Sequence, residues 1–341
     1  MSDRKSFPPA GSLEPLQDQQ SVKSQPPALS DLLSLVRAPA ALSVPGDILA
    51  GATAAGRPLG PRTVGAMASS VCLYWAGMAL NDYADAAVDS VERPARPVPS
   101  GRVPRRTALT VATGLTGAGL GLAAVSGGRR GLAVALPLTA LIWAYDLKLK
   151  STPAGPAAMA GARALDVLAG AVAGGGSPPA HGSRGAGTAV ALARGAVPAL
   201  LTGVHTYTLT ALSRHEISGA PARLPATTLA VSSATALSTV LPSVLPAILP
   251  PRRAVPREEI ARTAVASAGV LAYLGTYGWA QMRAVRDPRG SSVRRAVGAG
   301  ILAMVPLQAA LTARAGAPVA AALLGAVHPI AQRLARRVSP T

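Results

Sequence analysis

Apolar stretches of similar length follow one another along most of the 341-residue chain, separated by short segments that collect the charges and many of the prolines. Their approximate limits are 34–55, 63–81, 107–126, 131–147, 153–174, 188–212, 226–249, 262–282, 296–312 and 317–333. About 20 residues is the length at which an α-helix crosses the hydrocarbon of a bilayer. Barrel strands would be half as long and would alternate apolar with polar positions, which these stretches do not. The pattern predicts an all-α integral membrane protein, a bundle of nine or ten transmembrane helices; the last two stretches are short and leave the number open. The first 30 residues are polar and proline-rich and lack the apolar core of a signal peptide. They read as a disordered tail ahead of a membrane domain over 31–337. Residues 174–187 (GGGSPPAHGSRGAG) and 250–259 (PPRRAVPREE) read as loops.

Composition sharpens this reading. Charged residues make up 14% of the chain, well below the quarter or so usual for soluble domains, and the mean hydropathy is +0.34. The net charge of +18 comes from 33 basic and 15 acidic residues. Those bases sit in short clusters between apolar runs, and the chain has one Phe, so it lacks the stacking platform and basic stripe of a nucleic-acid binder. Membrane lipids, not nucleic acid, are the expected surroundings. With the N-terminus cytoplasmic, the basic residues divide 21 inside to 11 outside for ten spans and 18 to 14 for nine, so that orientation is expected either way, in a bacterial plasma membrane. The single Cys, Cys72, lies in an apolar run and excludes an intrachain disulfide.

Four of the fifteen acids fall within NDYADAAVDSVE (81–92), next to the only Asn, Asn81. Asp82, Asp85 and Asp89 have i, i+3, i+7 spacing, which sets them within about 60° on one helical face where the second stretch leaves the membrane. Three carboxylates on one face repel each other. A hard divalent cation relieves that repulsion, and Mg²⁺ is commonly held by one or two carboxylates plus substrate phosphate oxygens. The same cluster would also serve as a solvated helix end. The loop RPARPVPSGRV follows at once, with Arg93, Arg96 and Arg102 held among prolines and a glycine. An acidic metal face beside an arginine loop suits a diphosphate, whose charge both would neutralise; for Arg105 and Arg106 orientation alone is the better account.

These residues resemble a known family. NDYADAAVDSVERPARPVPSGRV is similar to the N-D-x-x-D-x-x-x-D motif and following R-P-x-R-P-[LIV]-x-[ST]-G loop of UbiA-type intramembrane prenyltransferases. VRAPAALSVPGDILAGA in the first span and YDLKLKS after the fourth extend the likeness, Tyr145, Lys148 and Lys150 falling in matching places. The phrasing resembles most the bacterial members of Ebo-type gene clusters. The resemblance implies about nine helices around a central cavity and Mg²⁺-dependent prenyl transfer from a polyprenyl diphosphate to an acceptor, whether aromatic, quinone-like or lipid. It implies that Asn81, Asp82, Asp85 and Asp89 hold the diphosphate through Mg²⁺, with Arg93, Arg96, Arg102, Lys148 and Lys150 as its cationic partners. Asp82, Asp85, Lys150 and Tyr145 are the expected catalytic residues.

One departure stands out. The family places a second motif, D-x-x-x-D, in the sixth span, where this chain reads TYTLTALSRHEISGAP. Either Glu216, with His215, makes a different second metal site or Arg214 supplies the missing positive charge; or the chain keeps the fold and has changed its chemistry. A transporter or a non-catalytic lipid-diphosphate binder is the competing reading. Among other polar residues of the spans, Arg163 and Asp166 at i, i+3 spacing are expected to pair with each other, and Asp47 has no evident local partner. His205 and Tyr207 are candidates for touching the acceptor, although packing is the better account of each.

Overall fold

The computed structural model describes residues 26–173, 184–248 and 256–338. Helix α1 (Leu29–Leu35) and a 3₁₀ turn (Ala38–Ser43) lead into α2 (Pro45–Ala54), α3 (Pro61–Ala84) and the short α4 (Ala86–Glu92). Then follow α5 (Arg105–Ala144), extended by a π turn (Tyr145–Leu149), α6 (Gly155–Val172), α7 (Arg184–Ser213) and α8 (Arg223–Ile248). The chain closes with α9 (Arg257–Tyr273), a second π turn (Leu274–Gly278), α10 (Trp279–Arg286), α11 (Gly290–Arg314) and α12 (Pro318–Val338). Proline at the first or second position starts α2, α3 and α6, where its fixed φ suits a helix and its missing N–H costs no bond.

Helical rods thus occupy each of the ten predicted stretches. By length and composition, five helices among the described residues can cross a membrane: Pro61–Ala84, Arg105–Leu149, Gly187–Ser213, Arg223–Val244 and Gly290–Arg314. The boundaries depart from expectation in three places. The first stretch is not one helix but α1, the 3₁₀ turn and α2. The third and fourth run on without an intervening loop, reversing at one residue, Gly128 (φ 59°, ψ −145°), a conformation that glycine adopts without steric cost. The eighth is α9 and α10 joined through the π turn. Of the predicted tail, residues 1–25 lie outside the described residues and Leu29 already belongs to α1; 174–183 and 249–255 of the two predicted loops lie outside them as well.

Helix α11 is the most buried of the long helices and packs against α2, α7, α8, α9, α10 and α12, while α3 lies along α5 and α6 along α7. Within lipid there is no hydrophobic gain in joining two apolar helices, so small residues and close backbone approach hold them. The α2–α6 contact does this reciprocally. A Cβ on Gly51 would sit 1.8 Å from the Val167 carbonyl oxygen, and one on Gly170 would sit 2.1 Å from that of Ile48. Gly51→Ala or Gly170→Ala is therefore expected to cost about 1–3 kcal/mol in detergent unfolding. Gly114→Ala, a helical position with nothing within 4 Å, is the control and is expected to be neutral or mildly stabilising. Equal effects at the three positions would contradict this packing.

Candidate active site

Helix α3 stops at Ala84 because Asp85 leaves helical geometry (φ −87°, ψ 2°), and α4 restarts at Ala86. The Asp85 N–H still donates to the Asn81 carbonyl at 2.9 Å, and the Asp89 N–H to that of Asp85 at 2.8 Å, so the chain bends without losing its bonds. The three aspartates consequently do not share one unbroken helical face. They divide into two groups, each with its own cations.

Asp82 and Asp89 form the first group, and their side chains are almost fully enclosed, 2% and 1% exposed. Arg96 lies between them, 3.6 Å from Asp82 Oδ1 and 2.5 Å from Asp89 Oδ2. Arg93 approaches Asp89 at 3.5 Å. Arg37, ahead of the 3₁₀ turn, donates to Asp82 Oδ1 at 3.2 Å. Among the described residues Arg37 is the single non-glycine residue with positive φ (48°), a backbone state that costs about 1–2 kcal/mol. The RPxRP segment thus lays two guanidiniums on one buried carboxylate pair, with a third, Arg37, arriving from the link between α1 and the 3₁₀ turn.

Asp85 forms the second group, at 23% exposure. Its carboxylate pairs with Lys150 Nζ, an ion contact without an aligned hydrogen bond, and accepts from Asn81 Nδ2 at 3.0 Å. Asn81 Nδ2 also lies 3.5 Å from Asp146 Oδ1. The π turn over Tyr145–Leu149 sets Asp146, buried, and Lys150 on the side facing α3, and turns Lys148 out to an exposed position. Tyr145 is half-buried beside Asp146, Arg214 and Asp85.

Four expected site residues are placed elsewhere, each for a visible reason. Arg102 is engaged by Asp31 of α1 at 2.6 Å and by the Ala95 carbonyl at 2.8 Å, tying α1 to the loop. Lys148 is exposed and, among the described residues, pairs with none of the aspartates. Arg214 donates to the carbonyls of Lys150 (2.9 Å) and Thr152, clamping the turn after Lys150. Glu216 is half-buried across from the motif, between Arg294 and Arg93; burial pushes its carboxyl up and the two guanidiniums pull it back.

Two members of the cluster are absent from the sequence expectation. Arg37 was readable only as an orientation charge, since 45 residues separate it from Asp82. Asp146 lay within YDLKLK, where the flanking Tyr and Lys drew the attention.

Deeper in the bundle, the predicted pairing is rearranged. Arg163 pairs with Asp47 at 2.8 Å, not with Asp166, and Gln308 Nε2 donates to Asp47 Oδ1 at 2.7 Å. Asp166 accepts from Ser70 Oγ at 2.6 and 2.7 Å. His205 is fully enclosed, held by Tyr273 Oη at 2.9 Å and the Gly300 carbonyl at 3.2 Å, whereas Tyr207 is 48% exposed on the bundle surface. Of these, Asp47, Asp166 and His205 are buried packing positions.

The family model described as "UbiA prenyltransferase family" matches residues 44–293, most of the chain. The chain belongs to this family. A digeranylgeranylglyceryl phosphate synthase from Methanopyrus kandleri is 43% identical over 111 residues, which is 32% of this chain and 38% of that protein. The chain thus matches well under half the length of that relative. Among solved structures, a UbiA homologue from Aeropyrum pernix K1 matches with a TM-score of 0.53 at 18% identity, covering 77% of this chain and 96% of that one. A UbiA homologue from Archaeoglobus fulgidus, solved with DMAPP and Mg²⁺, matches with a TM-score of 0.52 at 15% identity, covering 80% and 99%. At those identities the structural likeness concerns the fold: a UbiA-type, all-helical membrane protein. These relatives are archaeal.

Whether the UbiA cluster suits a metal can be tested on its donors. Among the described residues no group of three or more His, Cys, Asp or Glu side chains is arranged to hold an ion. The oxygens of Asn81, Asp82 and Asp85 are hard donors of the kind Mg²⁺ takes, one or two at a time, with phosphate oxygens completing its shell. The residues fit a metal that arrives with a phosphorylated substrate; Glu216 lies within the field of Arg294 and of Arg93, the latter a partner of Asp89.

Proposed function

We propose that this UbiA-family protein transfers a prenyl group from a prenyl diphosphate to a hydroxyl of a lipid acceptor, with Mg²⁺ bound at the Asn81–Asp82–Asp85 end. The observation that carries this reading is the alternation of carboxylates and cations: Arg37 and Arg96 on Asp82, Arg96 and Arg93 on Asp89, Lys150 on Asp85. A diphosphate and a divalent ion can enter such a cluster by exchange, the anion taking guanidinium and ammonium groups and the cation taking carboxylates, with little change in local charge. When bound, Mg²⁺ would supply electrostatic stabilisation of the departing diphosphate. Arg93, Arg96 and Lys150 would orient that leaving group, and the enclosure of Asp82 and Asp89 would keep their partners preorganised. Asn81, bonded to Asp85 and near Asp146, would fix the rotamer of the more exposed aspartate.

For the acceptor we follow the relative's name, digeranylgeranylglyceryl phosphate synthase, which describes a glyceryl phosphate bearing two prenyl groups. A prenylated glyceryl phosphate is therefore preferred over an aromatic or quinone-like acceptor. The setting is a cell membrane, with α1 on the same side as the aspartates, as its Asp31–Arg102 pair requires, and that side cytoplasmic by the excess of basic residues. The expected residue spans are a tail over 1–30 and a membrane domain over 31–337.

The absent D-x-x-x-D motif supports a second reading, a lipid-diphosphate binder without turnover. One experiment separates the two. The purified chain is incubated with Mg²⁺, labelled geranylgeranyl diphosphate and, in parallel, geranylgeranylglyceryl phosphate, 4-hydroxybenzoate or no acceptor. The proposal expects labelled diprenylglyceryl phosphate in the first reaction only. Labelled hydroxybenzoate would move the acceptor to the aromatic class, and tight donor binding with no product in any tube would favour the binder.

A further inference from the structure

At the bundle end away from the aspartates, three segments come together: the α2–α3 turn, the Gly128 reversal within α5 and the end of α6. They border a half-open cavity of about 360 Å³ lined by Arg62, Arg129, Arg130, Ser126, Gly128 and Val172. That volume lies within the range of small-ligand sites. Arg57 stands beside it, its Nε donating to the Ala171 carbonyl at 3.0 Å. Burial and the neighbouring Arg130 guanidinium both hold Arg57 below its ordinary value, so positive groups are crowded here. Neither 48–81 nor 93–145, the two stretches that carry these arginines, contains an Asp or Glu. Two helices also begin at it, α3 one residue before Arg62 and the second half of α5 at Arg129, and each adds the positive end of its dipole.

We propose that this cavity binds a phosphate group, supplied by an anionic lipid whose headgroup sits at the membrane surface opposite the aspartate motif. Arginine recognises phosphate by paired, charge-assisted bonds, and basic pockets between transmembrane helices are a recurring solution for anionic headgroups. A second void of only about 20 Å³ adjoins it, sharing Ser126 and Gly127 and lined further in by Ala66, Leu73, Ser70 and Asp166. Nothing in this inference depends on the prenyl-transfer reading, because the two ends of the bundle use different residues.

The test uses the full chain in phosphatidylcholine nanodiscs, with dioctanoyl phosphatidic acid as probe and native mass spectrometry as readout. A parallel arm replaces the lipid with inorganic phosphate and reads the shift in thermal unfolding. Arg129→Gln/Arg130→Gln protein is expected to bind the lipid about tenfold more weakly than the unchanged chain. Asp82→Asn protein, altered only at the donor site, is expected to bind it equally well. If millimolar phosphate alone gives a stabilisation that the arginine variant loses, the site stands and its ligand is the free anion. Should the double variant not fold, Arg62→Gln, at an exposed position on the first turn of α3, is expected to weaken binding by several-fold. Unchanged lipid binding in the arginine variants, or loss of binding in Asp82→Asn alone, overturns the proposal.

Discussion

Asp82→Asn is expected to lower kcat/KM for prenyl transfer about a thousandfold while the protein stays folded. The substitution keeps the shape of the side chain and removes its charge. It leaves Arg37 and Arg96 without the carboxylate that both approach at one oxygen, Oδ1. A preorganised charge at a reacting centre is worth about a hundred to a thousandfold, and the loss here is set at the upper end because the carboxylate is 2% exposed and orients two guanidiniums. Lys150→Met removes the cation beside Asp85 and is expected to cost about a hundredfold. Lys148→Met serves as the comparison. Lys148 is two residues away but turned outward by the π turn, and its replacement is expected to leave activity within about twofold. Initial rates at saturating Mg²⁺ on the three purified variants decide the matter. A loss under tenfold for Asp82→Asn, or equal losses at positions 148 and 150, would show that this cluster is not where the chemistry occurs.

The second large effect falls on stability. Arg163→Met leaves Asp47, fully buried on α2, with Gln308 and the Asp166 carboxyl as its polar neighbours and no guanidinium at 2.8 Å. Removing one partner of a buried ion pair costs about 3–5 kcal/mol, because a charge is stranded where neither water nor lipid solvates it. The double variant Asp47→Leu/Arg163→Met removes both charges and is expected to recover much of that loss, since an apolar pair of similar volume is often close to neutral. Unfolding in mild detergent, followed by circular dichroism, measures both. If the single and double variants are equally destabilised, the ion pair is not the source of the effect.

Much of the fold was legible because membrane insertion turns burial into length. Each stretch of about 20 apolar residues had to be a helix, and rods are found at each predicted place. What could not be read was decided by single residues. Gly128 replaces the loop expected between two spans with a one-residue reversal, and Asp85 breaks the face that the i, i+3, i+7 spacing suggested was continuous. Spacing arguments assume one unbroken helix, and a residue with ψ near 0° voids that assumption.

The candidate site was legible where the chain is contiguous. Residues 81–96 carry Asn81, the three aspartates, Arg93 and Arg96, and all of them meet within that span or one residue turn beyond it. Contacts closed by the tertiary fold were not legible. Arg37 reaches Asp82 across 45 residues, and Arg163 prefers Asp47 to its i+3 neighbour. Arg102 and Arg214 have the residue type of phosphate ligands, yet Arg102 pairs with Asp31 and both guanidiniums bond to backbone carbonyls. Arginine in a loop carries five donors, and its identity alone does not distinguish an anion ligand from a backbone clamp.

The most direct test is a Mg²⁺ titration of diphosphate release from geranylgeranyl diphosphate, in the presence of geranylgeranylglyceryl phosphate, by the full chain and its Asp82→Ala/Asp85→Ala form. The account predicts release that rises with Mg²⁺ to saturation and falls to background in the double variant. Release that needs no metal, or that persists when both carboxylates are gone, would contradict it.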